Sequence, residues 1–220
     1  MALDIMRHME LFDPHYFEEP ITVIGAGATG SWLTLALAKL GLTDITVYDF
    51  DVVESHNVPN QAFNIHDIGK TKTQALQDII AVQTNHKITV KNEKYTNQRL
   101  TGVVFLMVDS MAERKRIWET SIKLKSQIKL MIEPRMGLDM GRIYNVNPLD
   151  MEQIRRYEET LYSDDVAEVS ACGASMTVIT TALGIASWCA RSLINWHNKE
   201  ELDNEILIDF KYNNIITTKW

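Results

Sequence analysis

Ile21-Thr22-Val23-Ile24-Gly25-Ala26-Gly27-Ala28-Thr29-Gly30-Ser31 is the stretch from which the architecture is read. A short β-rich run breaks into three glycines and then into a helical stretch, Ser31 to Leu40. A second apolar run, Ile45-Thr46-Val47-Tyr48, then ends in Asp49-Phe50-Asp51. The order is strand, glycine turn, helix, strand, acid. Such a turn lets backbone N–H groups and a helix N-terminus face a phosphate, and an acid closing the second strand can take ribose hydroxyls. A GxGxxG alone is a weak signal. In this setting it predicts a nucleotide site.

Working outward, the strand 21–25, helix 30–40 and strand 45–49 make one βαβ unit. A polar irregular segment, 52–69, leads to a helix from Lys72 to Gln83. Strands are expected over 87–94, over the buried-type run 102–108 ending in Asp109, and from Lys129 to Glu133, with a helix from Met111 to Lys125 between the last two. Strands and helices alternate as far as residue 135, which predicts an α/β fold with a mainly parallel sheet. Residues 136–147 read as a bend and an antiparallel strand, and 151–170 as a short helix plus a charged, mobile loop. Met176 to His197 reads as a long apolar helix suited to burial against a sheet or a partner subunit, and the alternating tail as one or two final strands. Residues 1–18 are expected to form a short helix with Leu3, Met6, Met9 and Leu11 on one side, then a turn at Asp13-Pro14.

Composition narrows the function classes. A chain of 220 residues, 45% hydrophobic, suits one domain with a sizeable core, expected to span residues 1–220. The net charge of −7 argues against a general nucleic-acid binder. No apolar run of about 18 residues points to a membrane span, and no signal-peptide pattern is read at the N-terminus. The two cysteines, Cys172 and Cys189, form no CxxC pair, which argues against a cysteine zinc site and fits a reduced, cytoplasmic setting. The six histidines form no ligand set; His56 and His66 flank the irregular segment and read as surface groups.

After Asp49 the chain does not run into the plain βαβ unit of a dehydrogenase. It reads Asp51-Val-Val-Glu-Ser-His-Asn57-Val-Pro-Asn60-Gln61, then Gly69-Lys-Thr-Lys72. The pattern D-x-D-x-V-x-x-x-N-x-x-x-Q and then G-x-x-K resembles the ThiF/HesA/MoeB family of ATP-dependent adenylyltransferases, which includes the ubiquitin-activating enzymes. The resemblance runs from Arg7 to about Trp188. It implies a Rossmann-like α/β fold with a mainly parallel sheet flanked by helices and antiparallel strands in the C-terminal part. It also implies ATP and Mg²⁺ as cofactors and transfer of AMP to the C-terminal carboxylate of a ubiquitin-like or sulfur-carrier protein or peptide.

Residue by residue, the resemblance places Gly25, Gly27, Ala28 and Gly30 on the phosphates, Asp49 with Asp51 on the nucleotide and its ribose, and Asn57, Asn60 and Gln61 around the triphosphate and acceptor. Lys72 matches the lysine that neutralises phosphate charge, Asp109 the acid that holds Mg²⁺, and Arg114 the arginine after it. Arg7 matches an arginine that crosses a homodimer interface to the partner's ATP. Physical chemistry asks for the same parts. A carboxylate attacking an α-phosphorus brings anion to anion, so the site needs cations and in-line positioning, and no general base. Cys172, before the long apolar helix, is a candidate nucleophile for a thioester or persulfide step and also a candidate for close packing. Cys189 reads as core. Asp164-Asp165 reads as a solvated loop, Arg135 as an acceptor-side candidate, and Trp196 and Trp220 as packing or interface groups.

One departure matters. The family usually places an arginine directly before the glutamine, where this chain has Asn60, and Asn cannot offset phosphate charge. Lys70 is the nearest substitute. Asn60 therefore favours an alternative: a catalytically weak, nucleotide-binding dimeric subunit with an interaction or regulatory role. A third class, a nicotinamide-dependent oxidoreductase, needs an acid–base group in the second half, where no His or Tyr–Lys arrangement stands out.

Overall fold

Strand β1, Ile21–Ile24, is buried at all four positions, and the rest of the architecture is built out from both of its edges. The computed structural model describes residues 3–162 and 178–220. β1 pairs in parallel with β2 (Ile45–Tyr48) on one side and with β4 (Gly102–Leu106) on the other; β3 (Thr89–Lys91) extends the first side, and β5 (Ile128–Met136) the second. From β5 the sheet turns antiparallel through β6 (Met140–Val146), β7 (Glu205–Asp209) and β8 (Asn214–Thr218), giving the order β3-β2-β1-β4-β5-β6-β7-β8. This is the expected α/β class, Rossmann-like, parallel in its first part and antiparallel in its C-terminal part.

Side chains alternate across each strand, so the sheet has two buried faces. On one face Val23, Val47, Phe105 and Ile132 pack with α1 (Ala28–Lys39), α2 (Lys72–Thr84) and α5 (Ile179–His197) through Leu33, Leu76 and Leu193. On the other, Ile24, Tyr48, Leu106, Met131 and Tyr144 pack with α3 (Met111–Ile117), the turn after it and α4 (Met151–Glu159) through Trp118, Ile154 and Tyr157. The apolar α5 lies along α1 and the sheet, which accounts for its composition, and it keeps Cys189 fully buried as expected. Burial raises the Cys189 thiol above its ordinary value. Trp196 and Trp220 pack on Phe17 and Tyr144. No described helix is long and apolar enough to cross a membrane.

The chain departs from its pattern in three places. Residues 3–18 do not make the expected helix. They wind through single turns, with His8 and Leu11 N–H donating to the carbonyls of Ile5 and His8. The apolar stripe is not what holds them, since Met6 is 73% exposed; Phe12, at 1%, is the anchor. The helix from Met111 ends early, in a wide turn over Trp118–Ile122 where Lys123 N–H reaches back to the Trp118 carbonyl, and the Thr120 hydroxyl bonds to the Arg116 carbonyl. β5 runs on to Met136, past Pro134. That proline is tolerated because pairing with β4 has already stopped at Ile132, which leaves no ladder bond on that edge for a missing N–H to break. Cys172, Asp164 and Asp165 lie outside the described residues.

Candidate functional site

β1 connects to β2 on one side through α1, while β4 enters on the other side, so the order reverses between β1 and β4. In sheets of this kind that switch point opens a crevice at the carboxyl ends of the strands. The chain makes it from two touching turns. Gly25 has φ +103°, and a Cβ there would stand 2.7 Å from the Met107 carbonyl oxygen. A Cβ on Gly30 would stand 2.1 Å from the Gly25 oxygen, so α1 can start this close only with glycine. Gly27 is different: a Cβ there meets nothing within 4 Å. It faces open space at the N-cap of α1, and it has no side chain to satisfy the first N–H groups of that helix. The turn therefore fits an anion, by a free cradle and unspent amides.

Asp49 closes β2 and is 9% exposed. It accepts the Ala26 N–H at 2.6 Å and the Asp51 N–H at 2.8 Å, which ties the β2 end to the glycine turn. Burial pushes its carboxyl above the ordinary range, against the downward pull of those two amides and of Lys72. Each carboxylate oxygen has a second lone pair, so capacity remains for hydroxyl donors. Lys72, first residue of α2, is 7% exposed, and its Nζ lies 2.7 Å from Asp51 Oδ2. Its own N–H donates to the Asp51 carbonyl at 2.9 Å. Thr71 caps α2 by accepting the Gln74 N–H, which sets where the lysine leaves the helix.

The segment between them is pinned to α1. Trp32 Nε1 donates to the Asn60 carbonyl at 3.0 Å, and Ala62 N–H donates to the Ser31 hydroxyl at 3.1 Å. Asn57, buried, accepts the Glu54 N–H. Gln61 is buried with its Oε1 unpartnered among the described residues. Lys70 is engaged with Asp67 at 2.9 Å and lies 3.9 Å from Asp78. Asp67 also accepts from Asn64, and with Lys70 this holds its carboxyl below the ordinary range although burial pushes the other way.

Asp109 is exposed at the carboxyl end of β4, one residue before the cap of α3. A single exposed carboxylate beside a phosphate cradle is the donor set that suits Mg²⁺, which takes one or two carboxylates and fills its remaining positions from phosphates and water. Arg114 is 4% exposed and does not face the crevice mouth. Its Nε lies 2.6 Å from Glu133 Oε1, and its Nη2 donates to the Val108 carbonyl. Arg135, the acceptor-side candidate, is likewise occupied. It binds Glu133 and the Thr160 carbonyl and stacks 4.5 Å from the Tyr144 ring centroid. Burial would lower its guanidinium, but Glu133 holds it above the ordinary value. His56 and His66 are exposed. Arg7 is not brought to the crevice: His8 beside it touches the Leu40 carbonyl, at the far end of α1. A twelve-residue helix is about 18 Å long, so the His8 contact lies about that far from the glycine turn of its own chain.

Sequence reasoning missed Glu133, Ser31 and Trp32. Glu133 had a signal, since a carboxylate inside a buried strand requires a cation beside it.

The profile of the ThiF family matches residues 15–217. The chain belongs to the ThiF family. Among curated relatives of this ThiF-family chain, the probable adenylyltransferase/sulfurtransferase MoeZ of Mycobacterium tuberculosis is 39% identical over 72 residues, 32% of this chain and 18% of that protein. The uncharacterized protein y4oA of Sinorhizobium fredii is 37% identical over 60 residues, 27% of this chain and 10% of that one. Among solved structures, E. coli MccB with AMPCPP and selenomethionine MccA superposes with a TM-score of 0.69 at 16% identity, over 92% of this chain and 64% of that one. Selenomethionine PaaA gives 0.67 at 15%, over 92% and 64%. At such identities the likeness is one of fold. The chain spans 64% of MccB, and the MoeZ match spans under a fifth of that protein.

Proposed function

We propose that this chain is an ATP-dependent adenylyltransferase acting on the C-terminal carboxylate of a peptide or a small ubiquitin-like or sulfur-carrier protein. A carboxylate oxygen bonds to the α-phosphorus, the bond to the β-phosphate bridging oxygen breaks, and pyrophosphate leaves with that electron pair. The carrying observation is the open cradle at Gly27 facing uncapped amides of α1, with a buried lysine, Lys72, paired to Asp51, whose N–H shares Asp49 with the Ala26 amide of the turn. The MccB structures with ATP and with MccA, and the likeness to the probable adenylyltransferase/sulfurtransferase MoeZ, support a nucleotide and a peptide or carrier acceptor.

In this reading the amides from Gly27 to Gly30 take phosphate oxygens and Asp49 takes ribose hydroxyls. Lys72 leaves Asp51 to stand against the phosphates as charge moves onto the leaving group. Asn57, Asn60 and Gln61 order the triphosphate and the incoming carboxylate. Asp109 would hold Mg²⁺, whose chemistry is to screen phosphate charge. A homodimer gives Arg7 a role its own protomer cannot, by carrying it to the partner's crevice. The nucleophile arrives ionised near pH 7, so the chain's work is binding and alignment.

Exchange of labelled pyrophosphate into ATP tests this, with a carrier ending in Gly-Gly and short peptides with free C-termini as acceptors. Acceptor-dependent exchange is expected. ATP binding without exchange for any acceptor would instead support the second reading, a catalytically weak dimeric regulatory subunit. That reading is favoured by Asn60 and by the engagement of Lys70 with Asp67.

A further inference from the structure

We propose that Glu133 is a positioning residue: through Arg114 it fixes the carbonyl of Val108 and so the backbone that presents Asp109. What Asp109 then does rests on the adenylylation reading; the strut itself does not.

Unequal strand lengths create the need for it. β4 ends at Leu106 and its last register pair with β5 is Phe105 with Ile132, while β5 continues to Met136. Beyond that pair the carbonyls of Val108 and Pro134 have no ladder partner between them, and Pro134 has no N–H to offer. The Arg114 guanidinium fills the gap. One nitrogen, Nη2, donates to the Val108 carbonyl and reaches the Pro134 carbonyl at 3.4 Å. Only a planar, forked cation sets one nitrogen on two such acceptors while another, Nε, stands 2.6 Å from a carboxylate.

Glu133 holds that cation in place. It is 0% exposed and lies between two arginines, with Arg114 Nε at 2.6 Å on one side and Arg135 Nη2 at 2.9 Å on the other. Arg135 in turn donates to the Thr160 carbonyl at 2.7 Å, where the negative end of α4 and the face of Tyr144 balance the remaining positive charge. The residue after Val108 is Asp109, and the next, Ser110, is fixed as the cap of α3 by the Glu113 N–H. The acid is thus pinned on both sides, on one by a hydrogen bond whose direction depends on Glu133.

The test uses Arg114→Lys and Glu133→Gln, with Arg135→Lys as a comparison that disturbs the same buried carboxylate from the side away from Val108. Two readouts separate a strut from mere stability: hydrogen exchange of the amides at 107–110, and the Mn²⁺ concentration for half-saturation of ATP·Mn²⁺ binding followed by electron paramagnetic resonance. Arg114→Lys and Glu133→Gln should lose protection at 107–110 and raise the half-saturating Mn²⁺ about tenfold, the lower end for an outer-shell partner. ATP affinity without metal should be unchanged, and Arg135→Lys should lower the melting temperature alone. If Glu133→Gln does not fold, Arg114→Lys carries the test, because lysine keeps the charge but has one nitrogen, which cannot stand against Glu133 and reach both carbonyls at once. Unchanged protection in folded Arg114→Lys overturns the strut; lost protection with unchanged Mn²⁺ dependence overturns its link to Asp109. If the wild type neither binds ATP·Mn²⁺ nor exchanges pyrophosphate, the adenylylation reading falls, and the exchange-protection result still decides the strut.

Discussion

Lys72→Met separates the two roles a buried lysine can have. In the structure Nζ lies 2.7 Å from Asp51 Oδ2, with the lysine side chain 9% exposed and that of Asp51 48% exposed. Removing the cation leaves a carboxylate already half in water, so the loss to folding is that of a partly exposed ion pair, about 1 kcal/mol. Methionine fills the space of the aliphatic stem. For a chain of this size that is a fall of about 2–4 °C in Tm. If Lys72 instead faces phosphate oxygens as charge develops, losing a preorganised donor costs about 2.7–4 kcal/mol of barrier, or about 10²–10³-fold in rate. Pyrophosphate exchange at saturating ATP and thermal melts on the same preparation read the two separately. Exchange within about threefold of wild type, under 1 kcal/mol of barrier, would refute the reasoning and leave Lys72 as a structural ion pair. Asp51→Asn sharpens it: if Asp51 only parks the lysine, this variant loses less exchange than Lys72→Met.

The glycine turn gives a contrast within one loop. Gly30→Ala should destabilise by about 1–3 kcal/mol, because its Cβ would stand 2.1 Å from backbone. Gly27→Ala, whose Cβ meets nothing within 4 Å, should melt with wild type yet lose nucleotide affinity in a titration. Asn60→Arg should raise exchange about 10- to 100-fold if a charge-assisted phosphate contact is what the chain lacks, and flat or lower exchange would mean that Asn60 suits its acceptor. The Asp67 carboxyl is held below its ordinary value of 3.8, so its folded-state pKa is depressed. The stability it contributes is present above 3.8 and lost as pH falls through the depressed value. The Tm gap between wild type and Asp67→Asn should therefore be full at neutral pH and close below 3.8.

Much of this fold is legible in the sequence because its signals are local. The Ile21–Ile24 run, the glycine spacing and the alternating tail each specify one element, and the parallel order follows from how such elements connect. The N-terminal segment misleads because Leu3, Met6, Met9 and Leu11 have helical spacing, yet Met6 is left 73% exposed among the described residues. Amphipathic spacing makes a helix only where a surface is there to receive it. The wide turn at Trp118 is equally hidden: a threonine back-bonds to the Arg116 carbonyl there, and the Tyr157 ring, contributed by α4, lies 4.7 Å from that of Trp118 by centroid.

The site divides along the same line, and the division decides which charges a ligand can use. Sequence supplies an inventory in which Lys72 and Arg114 look equivalent, two cations near a phosphate cradle. Burial makes them unlike. The partner of Lys72 is half in water, so the pair is weak, and an incoming polyphosphate can compete for the ammonium at little cost. The partner of Arg114 is wholly buried, and freeing that guanidinium would leave a carboxylate inside the sheet with Arg135 alone and take the donor from two carbonyls, a penalty of several kcal/mol. A phosphate can therefore draw out Lys72 but not Arg114. The arginine shapes the crevice through the backbone it holds, and the distinction rests on Glu133, distant from both in the chain and placed beside one of them only by the fold.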